Sequence, residues 1–112
     1  MLSKLHRLSK SKEIEKVYKN GKSFFSKTLG IKVLKNNLEH SRFAVVVGLK
    51  VSKKATKRNR VKRQLREILR LNLKKMKSGF DVMVITLPGV IDKKYDELEK
   101  ELFSNFKKLD LL

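Results

Sequence analysis

Three consecutive stretches decide the fold: "RFAVVVGLKV" (residues 42–51), "TKRNRVKRQLREILRLNLKKM" (56–76) and "FDVMVITLP" (80–88). The first is a nearly continuous apolar run, the pattern of a strand at the centre of a sheet with both faces covered. In the second the period changes to that of a helix. Val61, Leu65, Ile68, Leu69, Asn72 and Met76 form one stripe, apolar apart from Asn72, while Lys62, Arg63, Arg66, Arg70, Lys74 and Lys77 fall on the flank and far side. Arg58 lies over the apolar stripe on an ideal wheel, so it is placed in the first turn, pointing outward. Gly79 is read as closing the helix, and the third stretch as a buried strand stopped by Pro88. A helix that crosses between two strands of this kind makes those strands parallel.

Outward from this centre the signals are local. "SKEIEKVYKNG" (11–21) predicts a short helix with Ser11 as N-cap and Gly21 just past its end, with Ile14, Val17 and Tyr18 sharing a face. "SFFSKTLGIKVLKNN" (23–37) reads as one strand. Leu29, Ile31 and Val33 point one way, and Gly30, Lys32 and Leu34 the other. "IDKKYDELEKELFSNFKKL" (91–109) predicts a last helix capped by Asp92. Its core stripe is Tyr95, Leu98, Leu102, Phe106 and Leu109, and its acids and lysines suit the helix dipole. The order helix-strands-helix-strand-helix predicts an α+β chain, one α/β sandwich domain spanning residues 1–112 with a basic crossover helix.

The charge is extreme and uneven. Twenty-nine Lys and Arg against eleven Asp and Glu give a net charge of +18, and residues 50–77 carry thirteen basic side chains against the single acid Glu67. Solubility alone favours mixed signs, so a polyanionic partner is the better reading. A basic helix packed on a sheet is a setting more usual for RNA than for DNA, whose groove-reading helices belong mostly to helical motifs or dimers. Tyr18 has two readings, as an aromatic that stacks on an unpaired base or as ordinary core packing.

Other classes find little support. There is no cysteine, so disulfides and thiolate metal sites are excluded. The two histidines, His6 and His40, pair with no evident carboxylate, and no phosphate-binding glycine loop occurs. No apolar run approaches the ~20 residues of a membrane span, and no signal-peptide pattern is seen, so a cytoplasmic location with no membrane partner is expected.

At "RNRVKRQLRE" (58–67) the chain resembles the protein subunit of bacterial ribonuclease P, whose hallmark is an Arg-Asn-Arg motif opening a basic helix. "VGLKVSKK" (47–54) is similar to the family's Gly-Leu-x-Val-Ser-Lys-Lys strand end. "RLSKSKEIEKVYKNG" (7–21) is similar to its N-terminal Arg-Leu, followed by a helix ending in Val-aromatic and then Gly. The resemblance implies a left-handed crossover, against the usual handedness. It also implies that catalysis belongs to an RNA partner using Mg²⁺, with no catalytic or metal-binding residue in this chain. The partners implied are that catalytic RNA and precursor tRNA, whose 5′ leader is removed, with no obligate protein partner. By position, Arg58, Asn59, Arg60, Lys62, Arg63 and Arg66 would face the catalytic RNA. Tyr18, Ile14, Lys53 and Lys54 would meet the leader, and Arg7 would add a further RNA contact. Between "SKK" and "RNR" this chain has only "ATK", which either starts the helix earlier or shifts Lys53 and Lys54. The rival reading is a structural ribosomal or RNA-assembly protein with no role in cleavage.

Overall fold

The computed structural model describes residues 2–112. Helix α1 spans Ser11–Asn20, and strands β1 (Lys22–Phe25) and β2 (Leu29–Lys35) follow it. Then come β3 (Arg42–Val46), the basic helix α2 (Ala55–Leu71), β4 (Phe80–Thr86) and α3 (Tyr95–Lys108). Short 3-10 turns lie at Lys4–His6, Leu73–Lys75 and Pro88–Asp92. The four strands form one mixed sheet in the order β1-β2-β4-β3, with β3 and β4 parallel as the crossover requires and the other pairs antiparallel. The α+β architecture read from the sequence is the one observed.

Strand periodicity divides the sheet into two faces. Leu29, Ile31 and Val33 of β2 and Val82 and Val84 of β4 pack on one side, together with Phe43, against Val61, Leu65, Ile68 and Leu69 of α2 and Leu98, Leu102 and Phe106 of α3. On the other side Met83 packs with Val17 of α1 and with Leu8, flanked by Ile14, Leu34, Ala44 and Ile85. The sheet therefore separates a large core under α2 and α3 from a smaller one under α1.

Several sequence expectations are corrected. The stretch 23–37 is a hairpin rather than one strand, because the chain reverses at Ser26-Lys27-Thr28 without a glycine, proline or asparagine to mark the turn. A distant carboxylate holds it. Glu101 of α3 accepts from the Thr28 and Leu29 amides at 2.9 and 3.1 Å and from the Ser26 and Thr28 hydroxyls. β3 lies at the edge of the sheet, and β2 and β4 are central. Its apolar run is explained by packing on both faces, Phe43 and Val45 with the larger core and Ala44 with the smaller, while at its outer edge Arg7 bridges to Phe43 and the Leu8 amide donates to the Phe43 carbonyl at 2.9 Å.

Helix ends differ too. Lys10, not Ser11, is the N-cap of α1. α3 starts after Lys94, whose amide donates to Glu97 at 3.0 Å, while Asp92 ends the preceding 3-10 turn anchored by the buried Val90. α2 ends at Leu71. At the predicted stripe position the buried Asn72 turns back on the helix, its side-chain Nδ2 donating to the Ile68 carbonyl at 2.7 Å. Gly79 is therefore not a helix cap. It takes a left-handed φ of 86° at the entry to β4, where its carbonyl receives the Asn36 amide at 3.0 Å.

One ion network fixes α1 to the sheet. Arg42 of β3 donates to both oxygens of the buried Asp81, at 2.8 and 2.6 Å, and pairs with Glu13 of α1 at 2.9 Å. The bond to Asp81 is the largest cause raising the guanidinium pKa, so this arginine is permanently charged. Removing it leaves Asp81 uncompensated. Arg42→Ala is expected to cost about 3 kcal/mol in urea unfolding, and a loss below about 1 kcal/mol would show that water replaces the guanidinium. Burial alone would raise the Glu101 carboxyl, but its four donors outweigh that and hold it below the usual 4.5. Its contribution is present above that value and lost as pH falls through the lower folded-state value. Glu101→Gln should therefore cost about 1 kcal/mol at pH 7, and the gap from wild type should close below pH 4.5.

Candidate nucleic-acid interface

The apolar stripe of α2 decides where its charges go. Val61, Leu65, Ile68 and Leu69 are buried, and the remaining positions of the helix face outward or lie at the flanks. Asn59, Arg60 and Arg63 are exposed, and Arg58, Lys62 and Arg66 are half-buried. All six predicted positions thus lie on one helix. Arg58 does lie in the first turn, but it folds back and donates to the Ser52 carbonyl at 2.8 Å instead of pointing away. Arg60 reaches across to the turn after β4, where it donates to the Ile91 carbonyl at 3.0 Å, and this contact orients its guanidinium.

The short link "ATK" has a simple outcome: the helix starts early, at Ala55, with Lys54 as N-cap. Lys53 and Lys54 are exposed in the segment entering the helix. The first turn contains no acid, so the free amides at the positive end of the helix dipole sit among Lys53, Lys54, Lys57 and Arg58. An anion at this end would relieve both the dipole and the cations. At the other end Arg70 pairs with Glu67, the largest cause of the lowered Glu67 pKa, and its charge is thereby partly neutralised.

A second site lies where α1 meets the opposite face of the sheet. Tyr18 is 58% exposed, so its ring is not core packing, whereas Val17 beside it is fully buried and Ile14 half-buried. Lys32 of β2, passed over in the sequence because it looked like an ordinary outward strand residue, stands against this ring. Its Nζ donates to the Tyr18 carbonyl at 3.0 Å and lies 4.2 Å from the ring centroid. An aromatic face with a cation beside it is a surface that suits a nucleobase and its phosphate. Arg7 stands apart on the edge segment, exposed, with its Nε donating to the Leu2 carbonyl at 2.9 Å. Among the described residues no group of three His, Asp or Glu side chains is placed to hold a metal ion, and no helix is long and apolar enough to cross a membrane.

Residues 2–110 match the protein family described as Ribonuclease P. The chain belongs to this family. It is 39% identical to a ribonuclease P protein component from Clostridioides difficile, over 93% of this chain and 91% of the relative. It is 38% identical to one from Synechocystis, over 99% and 90% of the two chains. Among solved structures, the ribonuclease P protein from Thermotoga maritima superposes with a TM-score of 0.83 at 30% identity, covering 91% of this chain and 96% of that one. A Staphylococcus aureus ribonuclease P protein mutant shares the fold with a TM-score of 0.91 at 23% identity, over 97% and 92% of the chains. The likeness therefore extends over the whole ribonuclease P fold described above.

The exposure of Tyr18 can be tested without any ligand. Tyr18→Ala is expected to change stability by less than about 1 kcal/mol in thermal unfolding, the scale of an exposed cation-aromatic contact. A larger loss would return the ring to the core.

Proposed function

We propose that this chain is the protein component of a ribonuclease P ribonucleoprotein, which removes the 5′ leader of precursor tRNA. In this reading the catalytic centre belongs to the RNA partner, and the protein supplies binding and electrostatics. The single observation that carries it is the segregation of α2, with Val61, Leu65, Ile68 and Leu69 buried and a predominantly cationic surface left outside, in a chain of this family. Arg58, Asn59, Arg60, Lys62, Arg63 and Arg66 face the catalytic RNA, where guanidinium groups make charge-assisted bonds to phosphate oxygens. The leader lies along the groove of α1 and the sheet, against Tyr18, Ile14 and Lys32, and reaches the lysines before α2, Lys53 and Lys54. Arg7 adds a contact at the sheet edge.

Mg²⁺ supplies charge neutralisation and a nucleophile in metal-assisted phosphoryl chemistry. The described acids of this chain do not form a donor set for it: Asp81 and Glu13 are bound to Arg42, and Glu101 is bound to hydroxyls and amides. In this reading the ion belongs with the RNA partner. The protein's cations act by drawing two polyanions together, which lowers the Mg²⁺ needed to hold them.

The deciding experiment is cleavage of a precursor tRNA by a bacterial ribonuclease P RNA across a Mg²⁺ titration, with and without this protein. Cleavage at lower Mg²⁺ with protein, and none by protein alone, is the expected result. Binding without any effect on cleavage would favour a purely structural RNA-binding protein. Arg60→Ala should weaken assembly with the catalytic RNA about tenfold with the fold intact, as a lost charged hydrogen bond to phosphate predicts, the lost bond to the Ile91 carbonyl lowering the melting temperature only slightly. Arg63→Ala should lower the slope of log affinity against log salt by about one.

A further inference from the structure

The groove beside α1 has a continuation that neither the basic helix nor Tyr18 accounts for. Phe25, the last residue of β1, is 50% exposed although it belongs to the sheet. It stands opposite Gly30 in register, and a Cβ added to Gly30 would come within 2.3 Å of the Phe25 ring. The ring thus lies across the space that any other side chain at position 30 would fill. Gly30 is needed here for close approach, and Phe25 is laid on the sheet face with its outer side open.

Register extends this row across the sheet. Gly30 is paired with Ile85, which is half-buried, and Ile85 with Val46, which is 40% exposed. Lys32, with Tyr18 against it, is two residues further along β2 on the same face, a step of about 7 Å. Along β3 and β4 the row lies toward their C-terminal ends, from which the chain enters α2 and the turn that receives Arg60. An aromatic ring, a cation and a second aromatic ring therefore follow one another on one open face of the sheet.

We infer that Phe25, seated on Gly30, is a second stacking platform for the single-stranded leader, one step beyond Lys32 and Tyr18 along the sheet. This rests on the proposed course of the leader along α1 and the sheet. Single-stranded RNA is the occupant that fits, because its bases stack on exposed aromatic faces and its phosphates match Lys32 and the net charge of +18. A glycine under the ring lowers the platform to backbone level, which leaves room above it for a base.

The test uses the holoenzyme assembled from this chain and a bacterial ribonuclease P RNA. Affinity is measured for a precursor tRNA with a long leader, for the same precursor with single abasic nucleotides along that leader, and for mature tRNA. Phe25→Ala should weaken the intact precursor about tenfold, the scale of one lost aromatic-base stack, and leave mature tRNA unchanged. At one abasic position the effect of Phe25→Ala should vanish, and that position should differ from the one coupled to Tyr18→Ala. Phe25→Trp should keep the affinity, and Phe25→Leu, which retains apolar cover over Gly30, should lose most of it. Full affinity in Phe25→Leu, or equal losses on mature tRNA, would overturn the stacking role and make Phe25 a packing residue. A leader-selective loss in Tyr18→Ala with Phe25→Ala silent would overturn this inference and leave the course of the leader standing. Silence in both would remove the leader from this groove altogether. If Phe25→Ala fails to fold, the contrast between Phe25→Trp and Phe25→Leu decides the question.

Discussion

A helix as positive as α2 holds its shape because four of its side chains are buried. Lys54, Arg58, Lys62, Arg66 and Arg70 follow one another at intervals of four, so each repels the next. Four such like-charge pairs cost roughly 1–2 kcal/mol together. Burial of Val61, Leu65, Ile68 and Leu69 against the sheet and α3 contributes several times that, at about 1.5–3 kcal/mol for each fully buried side chain, an upper bound. Packing therefore wins over repulsion, and the folded protein carries a dense positive surface that Glu67 neutralises in part at Arg70. The same burial sets the direction of that surface.

The sheet makes the second contribution by keeping two cores apart. β4 is buried on both faces, with Val82 and Val84 serving α2 and α3, and Met83 and Asp81 serving the side of α1. Because α1 is short, it covers only part of its face. The Arg42 network secures one end of it through Glu13, while Tyr18 near the other end is left in the open beside Lys32. A groove remains between a helix that is firmly attached and a sheet that is wider than the helix.

The hairpin of β1 and β2 shows how function-bearing geometry depends on distant residues. Its turn has no local signal and is held by Glu101 and Asn105, more than seventy residues away in the chain. A carboxylate that satisfies two amides and two hydroxyls replaces the conformational preference that glycine or asparagine would otherwise supply. The position of Phe25 on the sheet follows from that turn.

What the sequence alone determined was what periodicity and charge can encode locally. The basic helix, read over 56–76 and observed over Ala55–Leu71, and the parallel strands on either side were legible. So was the family, from "RNRVKRQLRE" and the two motifs before it. Tertiary structure decided everything that depends on which elements become neighbours. It put β3 at the edge although its apolar run suggested a centre, because cores pack on both faces of that edge strand. It split one apparent strand into a hairpin, brought Lys32 to Tyr18, turned Arg58 back to Ser52 and joined Arg60 to Ile91. A side chain's period reports which face it occupies, but not what stands opposite, since pairing is set by contacts between residues far apart in the chain.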